Sequence, residues 1–437
     1  MQNLFKQIAN GNSSALPSLS PAQEQLLHQI QISEATPGTI LHDFQVLLDF
    51  VGTKGIEVSQ TQQFLPLKSL AEINARLSHP IQTDLKRAQQ KSYPYIHGLY
   101  LLLRASGLSY ADTKGKKYIL LLDPVTLESW NNLNPTERYF NLLEAWLIWG
   151  NEEILGERGS IDPFHKWLMF WQQLPDKGMK IGTYNEQQLL IYYPGLHNVA
   201  LLELFGCLSV QSSKPEAGKG WLIKRLERTA WGDALLLVLY GLMRQDYKQE
   251  DDAENAMDGV FGTWQLAFQP FFPEWKHNLT IPEQEFRDGL YIFKVSLASR
   301  YYTSKMWRRI AIPANCCLDD LSDMILRSVD FDNDHLHCFS WKSRYGWTVR
   351  VNHSYMDEPP FTTEFDIGSL SLKEGQSMTY VFDFGDHWEF NVQLERVEPT
   401  NPKIEHPQIL ESSGDSPQQY PDWEEEEDWD EEEDEED

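Results

Sequence analysis

Apolar residues recur at helical spacing through most of the first half of the chain. Three helices and then two short strands are predicted at residues 42–52, 66–77, 93–106, 108–110 and 118–121. The third helix ends at Gly107, a residue suited to the position after a helix, and a polar turn at residues 112–117 joins the strands. Helices followed by a short two-stranded hairpin are typical of a winged-helix unit, which we place at residues 42–150.

A strong helix start lies near the end of this unit. Asn134 is a good N-cap, Pro135 fits the first helical position, and Glu137 completes a capping box. The apolar run at residues 139–149 then predicts a helix that Gly150 closes.

The same order of elements returns at residues 151–244. Helix, strand, loop, strand and helix are predicted at residues 196–205, 207–210, 212–220, 221–226 and 230–243. We interpret this segment as a second winged-helix-like unit, and the two units together as a diverged internal repeat.

The hydrophobic pattern changes from helical spacing to alternation after residue 286. Strands are predicted at residues 290–297, 307–312, 335–341, 347–351, 378–384 and 388–397. Between the second and third strands, Leu318, Leu321, Ile325 and Val329 form one face of a helix. The pattern indicates an α+β domain that opens strand–strand–helix, with a mixed or antiparallel sheet and a β-grasp-like arrangement.

Four further segments complete the predicted organisation. Residues 1–41 read as a loosely ordered arm with a short helix, and residues 245–286 as a linker whose aromatic residues join the two halves. The α+β domain spans residues 287–400, and residues 401–437 are expected to form a disordered acidic tail.

Charge separates the tail from the remainder of the chain. The 437 residues carry a net charge of −28, and fourteen carboxylates lie between Asp422 and Asp437. Without them the balance is 51 acidic against 37 basic residues, a net charge of −14. This sign disfavours non-specific binding to nucleic acid or to anionic membranes, although it leaves room for a local basic surface.

Cysteine usage and hydropathy predict a cytoplasmic protein. Four cysteines in 437 residues, two of them adjacent at Cys316 and Cys317, form neither a disulfide framework nor a C-x-x-C metal pair. The N-terminus has no long apolar segment, and apolar runs such as residues 235–239 are far shorter than the ~20 residues that span a bilayer. We therefore expect neither secretion nor insertion into a membrane.

Several motifs in fixed order give the C-terminal part a family resemblance. They are Tyr291-Ile292-Phe293-Lys294-Val295, Trp307-Arg308-Arg309-Ile310, Leu318-Asp319-Asp320-Leu321, Asp334-His335-Leu336-His337-Cys338-Phe339 and Tyr380-Val381-Phe382-Asp383-Phe384-Gly385-Asp386-His387-Trp388-Glu389-Phe390. Over residues 287–397 the chain resembles the Ri-plasmid ORF-three-like family, whose members are often labelled TnpR-like passengers of insertion sequences. The resemblance implies the α+β fold and an association with a mobile genetic element. A serine recombinase needs a nucleophilic serine among arginines, and no such arrangement is readable in this sequence.

Histidines and carboxylates gather near two of the predicted strands. The candidate ligand or metal cluster comprises Asp334, His335, His337, Asp383, Asp386, His387 and Glu389. On a strand, His335 and His337 point to the same face, so two imidazoles could meet carboxylates from the hairpin around Gly385 and bind a divalent transition metal. The alternative is structural, since aspartates beside a glycine are also what a tight hairpin needs.

Other catalytic motifs are incomplete. The Asp383-Phe384-Gly385 triplet lacks every companion motif of a kinase, and Gly218-Lys219-Gly220 lacks the frame of a phosphate-binding loop. We therefore assign no catalytic residues, predict no cofactor beyond the candidate metal, and lean towards a non-enzymatic protein.

Local basic charge keeps a DNA-binding alternative open. Residues 42–122 contain ten Lys and Arg against six Asp and Glu. Phosphates could be contacted by Lys114, Lys116, Lys117, Lys214, Lys219, Lys224 and Arg225. The predicted helix at residues 93–106, however, offers only His97 and Arg104 for reading base edges. We therefore prefer a protein-interaction or adaptor function, with DNA binding second and a metal-dependent enzyme third.

The acidic tail suggests a partner of opposite charge. The acidic residues could serve only to keep the protein soluble, whereas Trp423 and Trp429 could anchor the tail to a basic surface of the protein or of a partner.

Overall fold

The chain divides into two compact units. The computed structural model describes residues 19–115, 117–157, 161–246, 261–282, 285–298, 305–401 and 403–420. Unit 1 comprises Met1–Glu283 with Arg344–Trp347, and unit 2 comprises Gln284–Ser343 with Thr348–Asp437. The described residues contain twelve α-helices and thirteen strands.

Unit 1 is mainly helical. Its helices are α1 Pro21–Gln29, α2 Ile40–Val51, α3 Leu67–Arg76, α4 Pro94–Ala105, α5 Pro124–Asn132, α6 Pro135–Leu147, α7 Pro163–Gln173, α8 Tyr184–Tyr192, α9 Leu196–Leu204, α10 Ala230–Asp246 and α11 Gln265–Phe268. Its strands are β1 Ile56–Val58, β2 Ser109–Lys114, β3 Lys117–Leu122, β4 Met179–Lys180, β5 Leu208–Ser212 and β6 Ile223–Arg228.

The order of elements in unit 1 occurs twice. Both α2–β1–α3–α4–β2–β3 and α7–β4–α8–α9–β5–β6 run helix, strand, helix, helix, strand, strand. Each set forms a three-stranded antiparallel sheet, in the orders β1-β3-β2 and β4-β6-β5. The predicted hairpins are present, but each sheet gains a short third strand that the sequence pattern does not indicate.

The predicted start of α6 is confirmed in detail. The Asn134 side chain accepts the Glu137 backbone N–H at 3.0 Å, and the Glu137 carboxylate accepts the Asn134 backbone N–H at 2.8 Å. These two bonds satisfy backbone donors that the first turn of a helix leaves without partners.

Three side chains along one side of α6 also hold the segment at residues 261–282. Glu137 accepts the backbone N–H groups of residues 276 and 277, at 2.9 and 2.8 Å. Asn141 accepts the N–H of Leu279 at 2.7 Å. Glu144 accepts the N–H groups of Gly262 and Trp264, at 2.6 and 2.8 Å. Positions four and three residues apart lie on the same side of a helix, so one helix binds the whole segment.

Two sequence interpretations of unit 1 need correction. The aromatic residues at 264–275, expected in a linker joining two halves, lie in the core of unit 1, where the Phe140 and Trp275 rings stack at 4.5 Å. The arm is not loosely held from residue 19 onward, because Leu27 of α1 is fully buried. In both places apolar side chains form core contacts within unit 1.

Unit 2 is an α+β unit built on one large sheet. Its elements are β7 Leu290–Leu297, β8 Trp307–Pro313, α12 Leu318–Val329, β9 His337–Lys342, β10 Thr348–Asn352, β11 Ser377–Phe382, β12 Trp388–Glu398 and β13 Gln408–Ser413. The seven strands lie in the order β10-β9-β11-β12-β7-β8-β13, and every neighbouring pair is antiparallel.

The core of unit 2 lies between α12 and one face of the sheet. The predicted apolar face of α12, Leu318, Leu321, Ile325 and Val329, is fully buried, which confirms the helical pattern. Along β12, the alternate residues from Trp388 to Leu394 are buried on the same side, as the period of two predicts.

The boundaries of unit 2 differ from the prediction at two places. Strand β9 begins at His337, two residues later than predicted, so His335 precedes the strand. Residues 403–420 are described and contain β13, which pairs with β8, so the predicted tail boundary at residue 401 is wrong. The acidic segment from Asp422 to Asp437 lies outside the described residues.

Hydropathy along the helices bears on membrane insertion. No described helix is both long enough and apolar enough to cross a bilayer.

Candidate functional site

The predicted histidine and carboxylate cluster separates into distinct groups. His335 has a side chain 41% exposed, and its Nε2 lies 3.4 Å from Asp383 Oδ2 and 3.8 Å from Asp334 Oδ1. His387 lies on the exposed hairpin, with its Nε2 3.8 Å from Glu389 Oε2. Neither group brings two imidazoles together with a carboxylate.

Asp383 has the structural role that the alternative interpretation describes. Its Oδ1 accepts the backbone N–H of Gly385 at 2.9 Å and that of Asp386 at 3.3 Å. Asp383 and His387 both have positive φ, 54° and 55°, as a tight connection between β11 and β12 requires. The Asp386 side chain is exposed at the turn. These residues shape the hairpin.

His337 lies instead in a different, buried group. Its side chain is 1% exposed, and its Nε2 lies 3.4 Å from Oδ1 of Asp319, in the first turn of α12. The His353 ring, after the end of β10, meets the His337 ring edge to face at a centroid distance of 4.8 Å. One ligand atom from each of Asp319, His337 and His353 lies within 4.8 Å of the other two. We call these three residues the Asp/His group.

Hydroxyl groups surround the Asp/His group. Nδ1 of His337 lies 3.3 Å from Ser322 Oγ, and Ser322 Oγ lies 2.6 Å from the Tyr380 hydroxyl. Thr362 donates its hydroxyl to Asp319 Oδ1 at 3.1 Å and lies 3.3 Å from His337 Nε2. Both nitrogens of His337 and one oxygen of Asp319 are therefore held in fixed directions.

The electrostatics of the group favour an ionised Asp319 and a neutral His353. The hydrogen bond with His337 lowers the pKa of Asp319, and the Thr362 hydroxyl contributes in the same direction. Burial lowers the pKa of His353, and the nearby His337 lowers it further. Burial raises the pKa of the Tyr380 hydroxyl, so it stays protonated as a hydrogen-bonding group.

A chain of contacts runs from a serine through a histidine to an aspartate, as in a serine hydrolase triad: Ser322, His337 and Asp319. Burial of the serine excludes a catalytic role. Ser322 is fully buried within α12, and its hydroxyl is already engaged by Tyr380. A nucleophile must reach its substrate, so this serine orients the histidine.

Sequence reasoning selected His337 and missed Asp319 and His353. The three residues come from a helix start, a strand start and the turn after another strand, and they pair only in the folded unit. The one sequence signal was an aspartate in the first turn of an amphipathic helix, which is equally common as a favourable charge at a helix start.

The predicted phosphate contacts in unit 1 are partly neutralised by carboxylates. Lys117 pairs with Glu57 at 2.7 Å, Lys219 pairs with Glu216 at 2.5 Å, and Arg225 pairs with Glu227. The remaining described candidates, Lys114, Lys214 and Lys224, are exposed, and Lys116 lies outside the described residues.

The helices that would read DNA in a winged-helix protein are buried. Every residue of α4 is buried, including His97 and Arg104. Helix α9 packs against α4, and a Cβ built on Gly98 would lie 2.8 Å from Leu201 Cγ. The two equivalent helices of the repeat therefore cover each other.

In its described residues, unit 2 is an α+β domain in which one α-helix packs on a seven-stranded antiparallel sheet that carries the Asp/His group. Residues 289–422 match the family described as plasmid pRiA4b ORF-3-like protein, which confirms the resemblance drawn from the C-terminal motifs.

Two known proteins are similar to part of this chain. The uncharacterized protein y4hQ of Sinorhizobium fredii is 28% identical over 116 residues, or 25% of this chain. The chain spans about half the length of that curated relative, 56%. A crystal structure of a protein of unknown function from Methanosarcina mazei Go1 is 24% identical with a TM-score of 0.27, covering 30% of this chain and 72% of that one.

Proposed function

We propose that the protein is a cytoplasmic, non-enzymatic protein-interaction scaffold whose unit 1 consists of two winged-helix units. The winged-helix assignment is supported by the repeated order helix, strand, helix, helix, strand, strand. It is also supported by the strand orders β1-β3-β2 and β4-β6-β5, in which the first strand of each unit pairs with the last. The β-grasp likeness of unit 2 and an association with a mobile element stay predictions.

The burial of α4 against α9 is the observation that favours proteins over DNA. A reading helix must present Arg, Asn, Gln or Lys side chains to base edges in the major groove. Here the two helices in that position face each other, and His97 and Arg104 are buried. Opening them to DNA would expose their apolar residues, so a scaffold is the simpler role.

The outer surface of α8 supports a protein partner. Tyr184, Leu189, Ile191 and Tyr192 are between 47% and 79% exposed, which is unusual for four large apolar residues on a nine-residue helix. Clustered exposed apolar side chains mark protein contacts more often than isolated ones do. We name this surface the α8 face.

A comparative pull-down from a lysate of the native cell tests the proposal. We expect the full-length protein to retain a protein partner after nuclease treatment, and Leu189→Glu with Tyr192→Glu to lose it. The matched control is Leu266→Glu, at an 85% exposed position outside the α8 face. The proposal is contradicted if nuclease treatment abolishes the capture of the partner. It is also contradicted if the variant with the α8 substitutions captures the partner as well as the unaltered protein does.

DNA binding through the exposed lysines is the second candidate. Lys114, Lys214 and Lys224 remain exposed on the two hairpins, where they could contact phosphates. Filter binding of duplex DNA at low and high salt separates the two functions. Retention at low salt that falls steeply with salt would favour DNA, and no retention would exclude it. Competition of the acidic tail with DNA for the surface formed by these lysines also stays a prediction.

A further inference from the structure

We propose that Asp319, His337 and His353 form a binding site for one divalent transition-metal ion in unit 2. This inference goes beyond the scaffold function and does not depend on it. It also moves the metal site away from the hairpin carboxylates that the sequence pattern suggested, while keeping His337.

The donor set selects the class of ion. Two imidazoles and one carboxylate suit Zn²⁺, Fe²⁺, Mn²⁺ or Co²⁺, whereas Ca²⁺ and Mg²⁺ prefer sites made only of oxygen. Three protein ligands leave at least one position open for water or another small ligand. The site therefore has the composition of an exchangeable centre and not that of a closed structural zinc site.

The distances fit an ion of this class. Tetrahedral ligands at about 2.1 Å from a zinc ion lie about 3.4 Å apart. His337 Nε2 and Asp319 Oδ1 are already 3.4 Å apart, and all three ligand atoms lie within 4.8 Å of one another. Small side-chain movements bring the third donor to the same ion.

The neighbours of the site prepare two of the three ligands. Before an ion binds, Nε2 of His337 donates to Asp319. Ser322 Oγ faces Nδ1 and can accept the ring proton there once an ion takes the place of the Nε2 proton, so the ring can coordinate through Nε2. Thr362 donates to Oδ1 of the Asp319 carboxylate, which keeps that oxygen beside His337 and leaves it a further lone pair for the ion. Such outer contacts fix ligand direction before the metal arrives.

His353 is the most adaptable of the three ligands. The backbone N–H of Tyr355 donates to its Nδ1 at 3.1 Å, which places the proton of the neutral ring on Nε2. Coordination through Nε2 requires that proton to move to Nδ1, and the bond from Tyr355 is then lost. His353 is only half-buried, so its ring can make this adjustment without disturbing the core.

Solvent reaches the site from the side of Asp319 and His353. The Asp319 side chain is 34% exposed, whereas His337 is buried behind it. An ion can therefore enter without unfolding of the unit. Substitutions of Asp319 and His353 test the site more cleanly than substitution of the buried His337.

Metal titration of the full-length protein tests the inference. After treatment with a chelator, we expect one equivalent of Zn²⁺ to raise the melting temperature and one equivalent of Co²⁺ to give visible absorption bands. His353→Gln and Asp319→Asn should each weaken binding more than about ten-fold, since even loss of an outer partner costs about 10–100-fold. Mg²⁺ at the same concentration should have no effect.

The matched control is His335→Gln, which removes an exposed imidazole two residues from His337. We expect this variant to bind Zn²⁺ and Co²⁺ like the unaltered protein, and circular dichroism should show all variants folded. Absence of binding by the unaltered protein overturns the inference. So does binding that His353→Gln and Asp319→Asn leave unchanged, because the metal would then lie elsewhere.

Discussion

Glu144 is a buried carboxylate bonded to backbone N–H groups, and its protonation is linked to stability. Burial raises its pKa from the ordinary 4.5 to about 7, although the N–H groups of Trp264 and Gly262 oppose this shift. The native state therefore holds a proton between about pH 4.5 and 7 that the unfolded chain has released. Stability from this group is complete below pH 4.5 and is lost as the pH rises to about 7.

Glu144→Gln should remove this pH dependence. The amide cannot ionise, and it accepts fewer N–H bonds, so we expect a variant that is less stable but whose stability changes less with pH. Relative to the variant, the unaltered protein should lose about 3 kcal/mol of unfolding free energy between pH 4.5 and 7.5, from the shift to about 7. Urea unfolding at several pH values measures this. Parallel pH profiles for the two proteins would contradict it.

At the same scale, the candidate residues drawn from the sequence include one member of the Asp/His group. His337 was selected by its place in a strand, but its assumed partner His335 precedes that strand and is exposed. Asp319 and His353 could not be paired with it by spacing, because a helix and two strands must pack before the three side chains meet. Local patterns predict which face a residue occupies, while a site built from three elements depends on their packing.

At the scale of elements, the contact between α4 and α9 depends on one glycine. A side chain at Gly98 would approach Leu201 Cγ to 2.8 Å and the His197 carbonyl to 3.2 Å. Gly241 in α10 provides the opposite case, because no atom lies within 4 Å of a Cβ built there. Substitutions at Gly98 and Gly241 therefore distinguish the effect of helix propensity from the effect of packing.

Alanine substitutions at these two glycines should have opposite effects. Gly241→Ala should stabilise the protein by about 0.5–1 kcal/mol, since alanine favours a helix. Gly98→Ala gains the same propensity but overpacks the contact, which costs about 1–3 kcal/mol, so we expect net destabilisation. Thermal unfolding measures both variants. Equal stabilisation by the two would show that α9 can move away from α4.

Several elements were predictable, whereas helices α5, α7 and α8 and strands β1, β4 and β13 were not. The capping box of α6 and the buried face of α12 follow from local spacing alone. Strands β1 and β4, of three and two residues, are too short to carry a period, and only pairing with β3 and β6 makes them strands. The sequence therefore predicted two-stranded hairpins where three-stranded sheets form.

At the scale of the whole molecule, the main apolar clusters of the two units share no residues. One contains the buried residues of unit 1 from Leu27 to Leu279, and the other contains those of unit 2 from Tyr291 to Leu394. Separate cores can lose their structure at different temperatures, so we expect two calorimetric transitions.

Phe390→Ala should identify the transition of unit 2. Phe390 is fully buried in the second cluster, beside the rings of Phe331 and Tyr380. Removing a buried phenylalanine side chain costs about 3–5 kcal/mol, so one transition should fall in temperature while the other stays. A single transition that shifts as a whole would mean that the units unfold together.

The three bonded positions of α6, Glu137, Asn141 and Glu144, restrict how the segment at residues 261–282 can vary. Its backbone N–H groups, and not its side chains, meet these acceptors. Exchange of an exposed side chain such as Leu266 leaves every one of these bonds in place. Insertion or deletion of a single residue between Gly262 and Leu279 shifts the donors out of register with a rigid helix. The bonds therefore constrain the length of the segment, while its composition is constrained where side chains such as Phe268 and Trp275 are buried in the core. Related sequences should vary at exposed positions by substitution while keeping the residue count.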